Sequence, residues 1–355
     1  MILVTKPFFP PKEEYKKYLD EIWERQWLTN AGPIVLDLEK ELRKFLGVEQ
    51  FHFLSNGTIA IQFAIRALGL KGKIITTPFS YVATVSSVVW EHCEPVFVDI
   101  DPDTLNIDPS KIEKAITKDV TGILATHVYG NPCDIDGIQS IASKHGLKVI
   151  YDGAHAFGTT YNGKSVFAYG DVTTASFHAT KLFHTVEGGG VSVKDPDVFQ
   201  KIFFMRNFGH NGPGVFSGLG INGKNSELHA AMGLVNMRYV DEILTVRKKL
   251  SLHYDKALKG LPLRYPARAP GFNFAYYAVL FESESQLLKV DEELNKNQVQ
   301  PRRYFHPSLT TLPYVTRMSV PVCEDACSRV LCLPLYHTLA LEDIDRIGDI
   351  IRKKL

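Results

Sequence analysis

FHFLSNGTIAIQFAIRALGLKGKIITTPFSYVATVSSVVWEHCEPVFVDI, residues 51–100, decides the fold class. FHFL (51–54), KIITTP (73–78) and EPVFVDI (94–100) are apolar runs of strand length. Between them, GTIAIQFAIRALGL and SYVATVSSVVWEH carry apolar residues at helical spacing. The alternation continues through the strand-like GILATHVYG (122–130), LKVIYD (147–152) and VTTASFH (172–178), interleaved with the helical patterns PSKIEKAI and DIDGIQSIASKHG. Strands joined through helices need crossover connections, so the sequence predicts an α/β fold with a mostly parallel central sheet flanked by helices.

Working outward, EEYKKYLDEIWERQW and VLDLEKELRKFLGV read as helices before the first strand, the second ending at Gly47 as a C-cap would. After the strands, residues 226–261 read as one helix, too long for a simple crossover. From Pro262 the pattern becomes mixed strands and helices. The expected organisation is a large α/β domain over residues 1–235 and a smaller C-terminal α+β domain over 236–355. No internal repeat or low-complexity linker interrupts it.

The 355 residues are 45% hydrophobic and 22% charged, enough for a sizeable core. Forty basic residues against 39 acidic ones leave a formal charge of +1, so no broad electrostatic footprint for nucleic acid or an anionic membrane exists. A phosphate-bearing ligand must therefore be met locally. The five cysteines contain no CxxC pair and no zinc-finger spacing with histidine, so free thiols and no metal site are expected. The N-terminus lacks the apolar core of a signal peptide, and no stretch approaches a membrane span; a cytoplasmic protein is expected.

In open α/β sheets, ligands gather beyond the carboxyl ends of the strands. Three such places carry chemistry. In SNGTIAIQFAI (55–65) a strand stops and a helix begins, so the N–H groups of Gly57 and Thr58 are a candidate anion seat; a plain strand-to-helix turn is the competing reading. In VIYDGAHAFG, Asp152 ends an apolar strand and His155 follows. A carboxylate there suffers desolvation unless donors or a cation face it, and a helix N-cap is the alternative. In HATKLFHTVEGGG (178–190), Lys181 follows the next strand. A lysine so placed, an aspartate partner and a phosphate seat are what pyridoxal phosphate requires: Lys181 for a Schiff base, Asp152 for the pyridinium nitrogen, Gly57 and Thr58 for the phosphate.

Six motifs stand in order, ITTPFSYVAT, THVYGNPCDIDGI, YDGAHAFG, SFHATK, EGGG and GINGKNSELHAAMGL, and the resemblance they carry extends over nearly the whole chain. Together they resemble the fold-type I, pyridoxal phosphate-dependent sugar aminotransferases of the DegT/DnrJ/EryC1/StrS family, and within it the enzymes that aminate C4 of a dTDP-4-keto-6-deoxyglucose for deoxyamino-sugar and O-antigen biosynthesis. The resemblance implies a homodimer with shared active sites, L-glutamate as amino donor, a nucleotide-linked keto sugar as acceptor, and cycling between pyridoxal and pyridoxamine phosphate. It assigns Lys181 to the Schiff base and Asp152 to the ring nitrogen, with His155 at the neighbouring Gln or His of the motif. Tyr81 matches an aromatic stacked on the ring, Ser176 a hydroxyl donor to the phosphate, and Asn222 an asparagine reaching the phosphate from the partner subunit. It also implies sugar-nucleotide contacts from WLTNAGP (27–33) and RRYFHP (302–307), of which Thr29, Asn30, Tyr304 and His306 are the candidates. His178 and His184 either touch substrate or fill the wall.

One position departs from the family pattern. Where many relatives carry G-x-N-x-R, this chain reads GINGK, so Lys224 offers a point charge in place of a planar fork. Glycines 188–190 are expected to let the segment after Lys181 fold back beneath the cofactor; a β-turn into VSV is the alternative. Three other readings compete for the function. A sugar 3-aminotransferase shares the fold. A 3-dehydratase has histidine at the lysine position, which Lys181 opposes. A non-catalytic paralogue has no use for an intact Lys181 and Asp152.

Overall fold

The computed structural model describes residues 1–355. Its central sheet has seven strands in the spatial order 51–54, 189–193, 172–176, 148–152, 120–126, 73–76 and 94–97. Gly189–Val193 runs antiparallel to both neighbours, and the remaining pairs are parallel. Lys148–Asp152 shows why the sheet is covered on both faces. Val149 and Tyr151 enter one core with the helices Pro33–Leu46, Ile135–His145 and Glu227–Met237, whereas Ile150 enters another with Gly57–Ala67. Side chains alternate faces along a strand, so an unbroken apolar run serves two layers.

Two expectations are corrected by tertiary structure, and one alternative is removed. The predicted strand over 122–130 ends at Thr126, because Val128–Gly130 turn tightly with Tyr129 at φ 57°. The predicted helix over 226–261 is two helices, Glu227–Met237 and Val240–Ala257. Between them the N–H groups of Arg238 and Tyr239 bond back only three residues, and both side chains bind Glu14 of the helix Lys12–Arg25. Helix-forming sequence continues through the break; the pull of Glu14 is not local. Of the two readings of glycines 188–190, the β-turn does not hold for 189 and 190, which are strand residues.

Beyond the break, Tyr277–Leu280 pairs antiparallel with Val330–Leu333, and the helices Glu284–Lys296 and Leu341–Lys354 close a separate core around Tyr254 and Tyr277. Ile2 joins that core, because Ile2–Leu3 pairs with Val299–Gln300. A further cluster couples Phe79, Val85 and Tyr129 to Phe305 and Leu309, so the segment 302–309 is pressed against the end of the sheet. No helix is long and apolar enough to cross a membrane.

Candidate active site

The carboxyl ends of the strands open into a cavity of about 340 Å³. Gly57, Thr58, Tyr81, Asp152, His155, Ser176, His178 and Lys181 line it, together with Tyr304 from the C-terminal segment. The fold thus brings together residues that lie up to hundreds of positions apart.

Asp152, the last residue of its strand, is 5% exposed. Ala154 N–H donates to its Oδ1 at 3.0 Å and Thr84 Oγ1 to its Oδ2 at 2.7 Å. Burial raises its pKa, opposed by those two hydrogen bonds and by the charge of Lys181. No helix follows it, so it caps none. Lys181 sits in the turn after Val172–Ser176, its N–H bonded to His178 O at 2.9 Å. Burial lowers its pKa, with Asp152, Tyr304 and Tyr81 acting the other way. The amine is therefore easier to deprotonate than a lysine in water.

His155 is buried and neutral, its pKa pushed well below the usual range by desolvation. Its ring stacks at 5.6 Å and 5° on Phe305 and meets Tyr276 edge-on, while Nδ1 has no partner in the chain.

The anion seat has a specific construction. Asn56 caps the helix Gly57–Ala67 by accepting Ile59 N–H at 2.8 Å, leaving the N–H groups of Gly57 and Thr58 without partners in the chain. Ser176 closes one side: a Cβ at Gly57 would lie 2.9 Å from Ser176 Cβ. The strand Gly189–Val193 closes the back, where a Cβ at Gly189 would meet Asn56 backbone carbon at 2.3 Å and Gly57 N at 2.6 Å. The glycines are there for close approach of backbone to backbone beneath the seat.

Other expected site residues lie elsewhere. His184 is fully packed: Nε2–H donates to Phe8 O at 2.7 Å, Nδ1 accepts Val186 N–H at 3.2 Å, and Asn236 bonds its carbonyl. Its ring is thus a peg for the N-terminal arm, outside the cavity. His306 is exposed and turned to Cys327 O at 3.2 Å, because its neighbour Phe305 takes the inward position. Thr29 and Asn30 are exposed and outside the cavity of their own chain, as is Asn222, which accepts from Lys224 Nζ at 2.8 Å. Lys224 also lies 4.8 Å over the Phe208 ring. Tyr81, half-exposed, precedes the helix Val82–Trp90 and sits on the cavity wall. His178 bonds Thr180 Oγ1 at 2.7 Å and lies 3.6 Å from the Glu187 carboxylate.

The sequence reading missed Thr84, Ser80, Thr126, Glu187, Arg302 and Phe305. Ser80 and Thr84 stand within ITTPFSYVAT and Arg302 and Phe305 within RRYFHP, but nothing in those stretches says which side chains turn inward.

The family model for the DegT/DnrJ/EryC1/StrS aminotransferase family matches residues 11–352. The chain belongs to this family. It is 43% identical over 363 residues to the dTDP-4-amino-4,6-dideoxy-D-glucose transaminase of Shigella dysenteriae, an alignment covering 99% of this chain and 98% of that one. Among solved structures, that of DesI in the presence of its TDP-sugar product superposes with a TM-score of 0.94 at 32% identity, covering 99% of this chain and 92% of that one. NtdA of Bacillus subtilis, solved with its bound cofactor PMP, superposes at 0.91 with 29% identity, covering 97% and 81%.

The aminotransferase family's cofactor, pyridoxal phosphate, suits this cavity on structural grounds. A buried carboxylate lacks a salt-bridge partner, a half-buried lysine shares its cavity, and two N–H groups without partners in the chain face it. Asp152 would hold the ring nitrogen, Lys181 the aldehyde end, and Gly57, Thr58 and Ser176 the phosphate.

Proposed function

We propose that this sugar aminotransferase moves the amino group of L-glutamate to C4 of dTDP-4-keto-6-deoxy-D-glucose, for the assembly of deoxyamino-sugar glycans such as O-antigen. The observation that carries the reading is the convergence of a half-buried lysine amine and a buried carboxylate on one cavity with an anion seat. The choice of sugar is supported by 43% identity across nearly the whole of the Shigella dysenteriae transaminase.

Bound pyridoxal phosphate supplies an aldehyde that condenses with amines and a ring that accepts electrons when its nitrogen is protonated. The chain supplies the rest. Burial favours the neutral, nucleophilic form of Lys181, and its tether keeps the amine within reach of the donor Cα, from which it removes a proton in one half-reaction, and of the acceptor sugar carbon, to which it delivers one in the other. Asp152 retains the proton at the ring nitrogen. Tyr81 and His155 bound the ring, and Tyr304 lines the mouth where the sugar enters.

The working unit is a homodimer in the cytoplasm. The dimer is supported by the position of Asn222, exposed and outside its own cavity, with its side-chain amide held by Lys224 at the oxygen. The reducing compartment is supported by five free cysteines, all buried.

The test is spectroscopic and then chemical. Visible absorbance of the holoenzyme is expected to bleach on adding L-glutamate, and product NMR after incubation with dTDP-, UDP- and GDP-keto sugars to show a new amine at C4 of the dTDP sugar. Lys181→Ala should lower turnover by at least about 1,000-fold. Transamination by that variant at the parent rate would remove Lys181 from this role.

A further inference from the structure

Asp152 ends a row of buried hydroxyl groups whose hydrogen-bond direction follows once its carboxylate is ionised. An ionised carboxylate only accepts, so Thr84 Oγ1 donates to Asp152 Oδ2 at 2.7 Å. With that proton committed, Thr84 Oγ1 accepts from Ser80 Oγ, 2.7 Å away. Ser80 Oγ in turn accepts from Thr126 Oγ1 at 3.1 Å. Every O–H dipole in the row then points its positive end toward the carboxylate.

The row spans three elements. Thr126 is the last residue of Val120–Thr126 and the register partner of Asp152 on the adjacent strand; Ser80 lies before the helix Val82–Trp90 and Thr84 in its first turn. Thr84, Thr126 and Ser80 are 0%, 1% and 2% exposed, so water does not compete for these bonds. Ser87 of the same helix instead donates to the helix's own Ala83 carbonyl, the usual resort of a helical hydroxyl. Thr84 is turned to the carboxylate.

Such an arrangement answers a specific difficulty. Burial favours the neutral acid at Asp152, yet only the ionised form can hold a proton on a pyridine nitrogen. Aligned donors in a dry interior favour the charged form, and each bond polarises the next.

We propose that Thr84 is a positioning residue for the amino transfer, backed by Ser80 and Thr126: the hydroxyl row keeps Asp152 ionised and aimed at the cofactor's ring nitrogen. This rests on the reading of Asp152 given above.

The test uses holoenzyme loaded with ring-15N pyridoxal phosphate, reading the 15N chemical shift by NMR and the rate of the glutamate half-reaction. In Thr84→Val the resonance should move toward unprotonated pyridine and the rate fall about 10- to 100-fold. Thr84→Ser should restore both to near parent values, and Ser80→Ala should fall between. Parent shift and rate in Thr84→Val overturn the proposal. Should that variant fail to fold, Ser80→Ala decides, and parent behaviour there overturns it equally. Asp152→Asn separates the two levels: an impaired Asn variant beside an unaffected Thr84→Val sinks only the hydroxyl row, whereas an Asn variant with a protonated nitrogen and full rate sinks the role of Asp152 as well.

Discussion

A methyl group at position 189 would need space that backbone already fills. The nearest atoms to a Cβ there belong to Asn56 and Gly57, at 2.3–2.6 Å, and main chain cannot swing aside as a long side chain can. Gly189→Ala must therefore displace either the strand or the anion seat, at a cost of about 1–3 kcal/mol. Thermal unfolding of the cofactor-free protein should register that loss. Titration with pyridoxal phosphate should show weakened binding as well, since the displaced atoms adjoin the phosphate donors. Weakened stability with parent affinity would mean the strand had moved and the seat had not. At this scale the sequence was legible where a residue type is chemically exclusive: Lys181 and Asp152 could be picked out, and both meet in one cavity. His184 and His306 show the limit, because imidazole is equally at home as a packed donor or as a ligand contact, and only its neighbours decide.

The helix Pro33–Leu46 illustrates what a segment can and cannot announce. Pro33 at its first position and the left-handed Gly47 after its end are local signals. Its N-cap is not local. Gly32 has no side chain to offer, and the N–H groups of Ile34 and Val35 bond the Glu227 carboxylate at 2.9 and 3.0 Å, from the start of a helix far along the chain. Glu227 is 1% exposed, and a Cβ on Gly32 would fall 2.7 Å from its carboxyl carbon. Glu227→Ala should cost about 2–4 kcal/mol in urea unfolding, because two buried donors lose a charged acceptor. Glu227→Gln, keeping one carbonyl oxygen, should lose less. Equal losses would mean that the side chain's volume matters and its charge does not. The break at Arg238 and Tyr239 belongs to the same class of feature, since Glu14 draws both side chains from outside the helix.

Over the whole molecule, Glu39 ties three elements through Arg206, His52 and Phe53 N–H. Burial opposes its charge, but the hydrogen bonds and the guanidinium prevail and hold its pKa down to about 2 against the ordinary 4.5. A carboxyl depressed in this way binds protons more readily when unfolded. Its contribution, about 3 kcal/mol, is fully present above the unfolded value and lost as pH falls through the folded one. The stability gap between the parent and Glu39→Gln should be constant above about pH 5 and narrow toward pH 2, as read by denaturant unfolding at each pH. A gap independent of pH would deny the ion pair its role. Assembly is tested by complementation. If each site takes Asn222 from the partner, mixing and re-associating Lys181→Ala with Asn222→Ala chains should regain about a quarter of parent activity from mixed dimers with one intact site. No recovery on re-association would contradict a shared site.

The alternation of short apolar runs with helical ones determined the parallel sheet, because strand and helix periods are properties of neighbouring residues and survive without context. The same holds for the aspartate at the end of one strand and the lysine just past its neighbour in the sheet, whose chemistry few other residues share. Tertiary structure alone decided the helix break at 238–239, the remote cap of Gly32, and the hydroxyl row behind Asp152. Each depends on atoms that packing brings close across long stretches of chain, and a linear pattern holds no record of such distances.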